Sequence, residues 1–215
     1  MMKKEKVVDI NTWKRKEIFD FFSNLSNPFY MISFRQDVTA LYEYTKANNL
    51  SFYYCMCFLC TKALNSVDAF NYVIRDDKII HLEGRNPSFT DLRKGSKLFH
   101  IVTMPLVEDM KEFVRLAKEK SDNQEVFIEM NKETDDLVYI SSIPWVDITA
   151  VTNERDLADP HAKDDSIPRI CWGKYVDANG RLELGISIEV NHRLIDGVHI
   201  GEFANKLTEL ISCLK

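Results

Sequence analysis

One stretch constrains the fold of this 215-residue chain more than any other, because a strand pattern, a histidine and a helix pattern follow one another there. Apolar residues alternate with polar residues and glycine from position 182 to 190, which predicts a β-strand with one buried face. Apolar residues then recur at helical spacing from Ile200 to Leu214, which predicts a C-terminal helix. His192 follows the strand in phase with its apolar side. We therefore expect its ring to enter the interior, where burial and neighbouring charges set its pKa.

The rest of the chain alternates between helix and strand patterns. The clearest turn signal is Asn179-Gly180, which favours a type I′ hairpin because both residues accept a positive φ. These patterns predict a sheet layered against helices in a single domain, 1–215, with an irregular loop over 153–167 that contains Pro160. The predicted helices are 11–25 (opened by an Asn/Thr cap), 37–48, 52–66 and 108–120, and the predicted strands are 29–34, the 72–82 hairpin, 97–104, 137–143, 145–151, 169–176 and 181–190.

Charge and composition exclude several classes of function. The chain has 28 basic and 33 acidic residues and a net charge of -5, which argues against a nucleic-acid or anionic-membrane surface. The longest near-continuous apolar run, 52–60, is far shorter than the ~20 residues that span a bilayer. The Met-Met-Lys-Lys start leads into no apolar signal core. We therefore predict a cytoplasmic protein with no membrane or nucleic-acid partner.

The five cysteines do not indicate a disulfide framework, because their number is odd and three of them lie in one apolar segment. Cys55, Cys57 and Cys60 have two interpretations: a metal site of the form Cys-x-Cys-x-x-Cys, or small apolar residues of a buried helix. The surrounding Phe, Tyr, Met and Leu residues favour the buried helix, so we predict no metal site.

A histidine followed by Asp196-Gly197 is compatible with a core histidine beside a turn or with a catalytic group in a strand-to-helix connection. The segment Asn191-His-Arg-Leu-Ile-Asp-Gly197 resembles the His-His-x-x-x-Asp-Gly signature of chloramphenicol acetyltransferases. It also resembles the Asp-His-Arg-x-x-Asp-Gly signature of dihydrolipoyl acyltransferase catalytic domains, which share that fold. Segments similar to the first family recur in order along the chain: Trp13-x-Arg-Lys-Glu17, Ile74-x-Asp-Asp77, Asn86-Pro-x-Phe-Thr90, Pro144-Trp-Val146, Gly173-Lys-Tyr175 and His199-x-Gly-x-Phe203.

This resemblance implies an α/β fold with a large mixed β-sheet layered with helices, the CoA-dependent acyltransferase fold. It also implies a homotrimer with active sites between subunits. The implied reaction moves an acetyl group from acetyl-CoA, as co-substrate, to a hydroxyl of chloramphenicol or a similar small molecule. By the same resemblance His192 is the general base, and Asp196 pairs with Arg15 to support the loop beneath it. His81, His100, His161 and His199 receive no catalytic role.

The resemblance also assigns residues to the two substrates. Lys174, Tyr175 and Tyr53 match positions near coenzyme A, although Ser51 replaces a family lysine and ordinary strand residues remain an alternative. The acceptor pocket is predicted to contain Phe22, Tyr30, Ala150 and Cys171.

Two substitutions within the signature segments leave the activity open. Ala150 stands where the family has a serine that stabilises the tetrahedral intermediate, and Asn191 replaces the first histidine of the family pair. On the predicted 145–151 strand, Thr149 points to the opposite face and Thr152 lies ~6.6 Å along from Ala150. The alternatives are therefore an acyltransferase for another hydroxyl or thiol acceptor, or a catalytically weak trimeric small-molecule-binding protein.

Overall fold

A computed structural model describes residues 5–93, 95–156, 158–159 and 161–214. The N-terminal Met-Met-Lys-Lys and Pro160 of the predicted loop lie outside the described residues. The helices are α1 (Lys16–Ser23), α2 (Thr39–Ala47), α3 (Phe52–Asn65), α4 (Met110–Asn123) and α5 (Gly197–Ser212). The strands are β1 (Lys6–Val7), β2 (Phe29–Asp37), β3 (Tyr72–Arg75), β4 (Lys78–His81), β5 (Asn86–Leu92), β6 (Phe99–Thr103), β7 (Leu137–Ile143), β8 (Arg169–Gly173), β9 (Val176–Ala178) and β10 (Arg181–Asn191).

The strands form one large sheet and one small sheet. The large sheet has the order β2-β10-β8-β7-β5-β6, with β9 also paired to β10, and the small sheet has the order β1-β4-β3. In the large sheet β7 runs parallel to both β5 and β8, whereas the other pairs are antiparallel. The predicted mixed sheet is therefore confirmed.

Helices cover the apolar face of the large sheet. The buried residues of β10 on this face, from Leu184 to Val190 in alternation, join Phe203 and Leu207 of α5 in one core. Helix α3 is buried over most of its length, and its cysteines 55, 57 and 60 are fully enclosed in that core, as predicted. Among the described residues, no helix is both long and apolar enough to cross a membrane.

The predicted strand at 145–151 is wrong, because this segment lies across the other face of the large sheet instead of joining its edge. Gly173 and Gly185 make room for it: a Cβ on Gly185 would lie 2.4 Å from the carbonyl oxygen of Ile148. The N–H of Val151 donates to Ser187 Oγ at 2.9 Å, so this backbone group bonds a side chain instead of a neighbouring strand. The predicted orientations of residues 149, 150 and 152 along a strand therefore do not apply.

Helix α1 begins at Lys16, later than the predicted residue 11. Asn11 and Thr12 belong to a turn in which the N–H of Asn11 donates to the carboxylate of Asp9 and the N–H of Thr12 donates to the carbonyl of Asp9. Neither side chain therefore caps a helix, and Arg15 occupies the residue before the first turn. This start leaves Arg15 directed at the chain around His192.

Candidate active site

The end of β10 is fixed by the side chain of Asn191. Its Nδ2 donates to the carbonyl oxygens of Lys163 at 2.8 Å and Asp165 at 3.0 Å, and its Oδ1 accepts from the N–H of Arg193 at 3.1 Å. The chain then turns over residues 192–194 and enters α5 at Gly197. Asn191 thus anchors the turn that presents His192.

The ring of His192 lies between two aromatic side chains, one on each side. The centroid of Phe22 in α1 is 3.9 Å away at an interplanar angle of 26°, and that of Tyr30 in β2 is 4.1 Å away at 35°. The backbone N–H of His192 donates to the carbonyl of Pro28 at 2.8 Å. About 30% of the side chain is exposed, so the ring is only partly buried, at the end of the apolar face of β10.

Partial burial lowers the pKa of His192 below the usual value for histidine, because desolvation disfavours the imidazolium. The nearby Asp196 carboxylate raises the pKa and Arg15 lowers it, and both effects are smaller than desolvation. A neutral ring near pH 7 carries a lone pair that can accept a proton. The Asp196 carboxylate, with Oδ1 3.5 Å from Nε2, would stabilise the positive charge formed on the ring.

Arg15 joins the start of α1 to the loop after β10. Its guanidinium binds both carboxylate oxygens of Asp196, with Nη2 to Oδ1 at 2.7 Å. Its Nη2 and Nε also donate to the carbonyl oxygens of His192 and Arg193, both at 2.8 Å. Only 11% of the Arg15 side chain is exposed, and this guanidinium holds the pKa of Asp196 below its usual value. The pair therefore fixes the backbone beneath the imidazole.

The predicted pocket residues fall into two groups. Phe22 and Tyr30 contact His192, as described above. Cys171 of β8 lies beside Ser187 of β10, which pairs in turn with Ser33 of β2. Because neighbouring strands place paired residues on the same face, Cys171 points to the sheet face opposite Tyr30 and His192. Ala150 is exposed, in the segment that crosses this opposite face. One chain therefore does not bring Ala150 or Cys171 against the imidazole.

The chain is similar to known proteins along almost its whole length. The profile described as "Chloramphenicol acetyltransferase" matches residues 3–208. This chain belongs to the chloramphenicol acetyltransferase family. Chloramphenicol acetyltransferase 3 of Escherichia coli is 27% identical to it over 94% of both chains. A solved chloramphenicol acetyltransferase superposes with a TM-score of 0.87 at 23% identity, covering 99% of this chain and 100% of the other. The dihydrolipoamide acetyltransferase of Azotobacter vinelandii has the same fold, with a TM-score of 0.69 at 16% identity over 91% of this chain and 85% of the other.

The family assignment confirms the resemblance drawn from the signature segments and the prediction of an enzyme of the acyltransferase class. The residues predicted to lie near coenzyme A occupy two separate aromatic groups. Lys174 is exposed, and Tyr175 beside it packs against Tyr42 and Phe52. The ring of Tyr53 packs instead against Phe89 and Trp172, and its hydroxyl donates to the carbonyl of Thr90 at 2.5 Å. These contacts place the Tyr53 side chain in the core.

Sequence analysis of this family member missed two residues that contact the site. Arg193 is buried beside its neighbour His192, donates to Ser23 Oγ at 2.9 Å and to Asp164 Oδ1 at 2.5 Å, and covers the ring of Phe19. His199 Nδ1 accepts from the N–H of Asp196 at 2.9 Å. An available signal for His199 was its position three residues after Asp196, which is the spacing of a helix capping box.

Proposed function

We propose that this protein transfers the acetyl group of acetyl-CoA to a hydroxyl of chloramphenicol or a similar small molecule, with His192 as the general base. The observation that carries the proposal is an imidazole packed between two rings, with an arginine–carboxylate pair that binds its backbone carbonyl. Membership of the family supports the reaction class. The cytoplasmic location remains a prediction from the sequence.

The chemistry follows from the weak nucleophilicity of alcohols at neutral pH. As the acceptor oxygen attacks the thioester carbon, the imidazole of His192 takes the hydroxyl proton. The tetrahedral intermediate then collapses, the C–S bond breaks, and the CoA sulfur receives the proton from the imidazolium. The Asp196 carboxylate stabilises the imidazolium electrostatically, and the contacts of Arg15 keep the ring from moving between the two proton transfers.

For coenzyme A we propose contacts from Lys174 and Tyr175. The exposed ammonium of Lys174 complements phosphate charge, and Tyr175 offers part of its ring for stacking. Tyr53 is a weaker candidate because its ring and hydroxyl already contact Phe89, Trp172 and Thr90.

We also propose a homotrimer in which each site is completed by a second subunit. Cys171 and Ala150 lie on the sheet face opposite His192, so residues of both groups can meet at one acceptor only if they come from different chains. Exposed apolar side chains are available for such an interface, among them Phe21 and Trp145, which are 66% and 69% exposed. Light scattering should give three times the 25.0 kDa chain mass, whereas a monomer with full turnover would contradict the shared site.

A specific observation supports a second candidate, a small-molecule-binding protein with little turnover. The exposed Ala150 has no hydroxyl to offer the intermediate, and loss of one such donor costs on the order of 2.7–4 kcal/mol of transition-state stabilisation. The test is CoA release from acetyl-CoA with chloramphenicol and with a panel of other alcohols and thiols. Release with chloramphenicol supports the first candidate, and release with another acceptor instead would replace chloramphenicol as the proposed acceptor. Ligand binding without CoA release supports the binding protein.

Ala150→Ser tests whether the missing donor alone limits turnover. Because residue 150 is exposed, a hydroxyl fits there without displacing core atoms. We expect kcat with chloramphenicol to rise by about tenfold or more, which is about 1.4 kcal/mol off the barrier. Thr149→Ser, at an exposed neighbouring position, is the matched control and should leave kcat unchanged. An unchanged or lower kcat in Ala150→Ser would show that the missing hydroxyl at residue 150 does not limit turnover.

A further inference from the structure

His199 lies on the first turn of α5, three residues after Asp196. Its Nδ1 accepts a hydrogen bond from the N–H of Asp196 at 2.9 Å, so Nδ1 carries a lone pair there. A glutamate or glutamine commonly makes this contact at the third position of a helix. A histidine differs from glutamine because the acceptor disappears when the ring is protonated.

This contact is the first in a series that ends at the proposed base. The amide of Asp196 is fixed by His199, and its carboxylate binds the guanidinium of Arg15. Arg15 in turn donates to the carbonyl oxygens of His192 and Arg193, both at 2.8 Å. A displacement of the Asp196 backbone therefore changes the support of the His192 loop, although no side chain that contacts the substrate is itself replaced or protonated.

We propose that His199 is a positioning residue for acetyl transfer, and that its neutral ring holds Asp196, and through Arg15 the His192 loop, in the active arrangement. This inference rests on the proposed function. In the protonated ring an Nδ1–H would face the N–H of Asp196, so two donors would oppose each other. The site would then lose its alignment through a proton on His199, which is a separate event from the proton that removes the lone pair of His192.

The surroundings of His199 allow it to take up a proton from solvent. The ring lines a cavity of about 960 Å³, which is also lined by Arg15 and Asp196. Desolvation and then Arg15 lower the pKa of His199, while Asp196, Glu202 and Asp68 raise it less, so the ring is neutral near pH 7. The other titratable side chains that line this cavity are Lys6, Asp9, Lys14, Tyr72 and His81.

The first test compares two substitutions of the same residue. His199→Phe keeps a ring but has no acceptor, and we expect kcat to fall by about tenfold or more with little change in KM for either substrate. His199→Gln offers a side-chain oxygen to the Asp196 amide, and we expect it to retain kcat within about threefold of wild type. His81→Gln, at another position that lines the same cavity, is the matched control and should leave kcat unchanged. A fully active Phe variant, or a Gln variant as impaired as Phe, would overturn the inference.

The second test uses the pH profile, which a merely structural role would not change. In wild type both rings act in their neutral form, so kcat/KM should fall at acidic pH by more than the titration of His192 alone gives. In His199→Gln one titrating group is gone, and the acidic limb should follow a single proton with a slope of one. Identical acidic limbs in the two proteins contradict the inference even if the Phe variant fails to fold.

The third test separates this inference from the proposed function. Histidine ring signals in ¹⁵N NMR report the order and pKa of His192 without turnover. We expect the His192 signals to broaden or shift in His199→Phe and to remain as in wild type in His199→Gln. A wild-type protein that acetylates no acceptor defeats the proposed function, whereas His192 signals that are unaffected in His199→Phe defeat the positioning role.

Discussion

At the scale of single residues, His192 has the two properties that its proposed role as general base requires, a neutral ring near pH 7 and a fixed orientation. Burial supplies the first by lowering the pKa. The flanking rings of Phe22 and Tyr30 supply the second, and Tyr30 is itself fixed by a hydroxyl that donates to the carbonyl of Ile195 at 3.3 Å. Burial also raises the pKa of Tyr30 to about 12, so this hydroxyl stays a neutral donor.

His192→Ala should lower kcat by about 10²–10⁴, because general base catalysis contributes on that order. The KM for acetyl-CoA should change little, since the imidazole acts mainly in the transition state. Steady-state kinetics with the exposed His161→Ala as control would check this, and equal losses of acetyl-CoA binding and turnover would indicate a structural role. In wild type the acidic limb of kcat/KM should lie below the usual pKa of histidine, because the pKa of His192 is lowered.

Asp196→Asn should destabilise the protein and impair turnover, because Arg15 would remain largely buried without its counter-charge. Loss of charged hydrogen bonds of this kind costs about 1.5–3 kcal/mol. The pKa of Asp196 is lowered in the folded state, so its contribution is present above the unfolded pKa of about 4 and is lost as the pH falls through the folded pKa. The difference in free energy of unfolding between variant and wild type should therefore be largest near pH 7 and shrink in acid.

Urea denaturation at several pH values measures this difference. Asp20→Asn is the control, because Asp20 forms an exposed pair with Lys16 on α1 and should contribute little. A fully stable and active Asp196→Asn protein would remove the ion pair from the account of the site.

At the scale of elements, the segment 145–155 is held in place by side chains on the surface of the large sheet. Arg35 of β2 binds Asp147 with Nη1 to Oδ1 at 2.6 Å, and Ser187 of β10 receives the N–H of Val151. Further along, the guanidinium of Arg155 lies 3.4 Å over the ring of Phe29 and binds Glu189. These contacts follow β2 and β10 on the face opposite the helices.

Gly185→Ala should displace this segment. The new Cβ would lie 2.4 Å from a backbone oxygen of Ile148, which cannot rotate away as a side chain could. We expect a loss of about 1–3 kcal/mol in the free energy of unfolding, as for other overpacked sites. Gly201→Ala is the matched control: its Cβ meets nothing within 4 Å on helix α5, and it should stabilise the protein by about 0.5–1 kcal/mol. Thermal unfolding of both variants measures the difference in their stability. Equal stability would mean that the 145–155 segment can move away from residue 185 without a cost in free energy.

At the scale of the whole molecule, Arg85 connects the two sheets. It is 1% exposed, and it donates to the carbonyl oxygens of Tyr72 in β3 and Leu137 in β7 at 2.9 Å each. It donates also to those of Phe70, Asp135 and Ser166. Burial lowers the pKa of Arg85 to about 10, so the guanidinium keeps its charge at pH 7.

Arg85→Leu should destabilise the protein by on the order of 3 kcal/mol, because several buried carbonyl oxygens would lose their donor at once. The measurement is the urea midpoint at pH 7. Arg181→Leu, at an exposed position of β10, should change the midpoint little. If Arg85→Leu were as stable as wild type, the carbonyls would have found other donors and the two sheets would not depend on this residue.

The sequence by itself determined the features that depend on short stretches. The hairpin at Asn179-Gly180 forms with φ values of 59° and 84°, because its geometry is local to those two residues. The buried helix at 52–66 and the strand at 181–190 were readable for the same reason, since periodicity reports which side chains must leave water. The ordered signature segments also determined the family.

Only the tertiary structure decided the features that depend on distant residues. The 145–151 segment has strand-like alternation, but Gly173 and Gly185 on other strands let it lie on the sheet face instead. Sequence analysis left His199 without a role, although the amide of Asp196 binds its ring. The lowered pKa of His192 and the placement of Cys171 on the opposite face follow from burial and strand pairing. Periodicity records which side chains avoid water, whereas these properties depend on which residues the fold brings into contact.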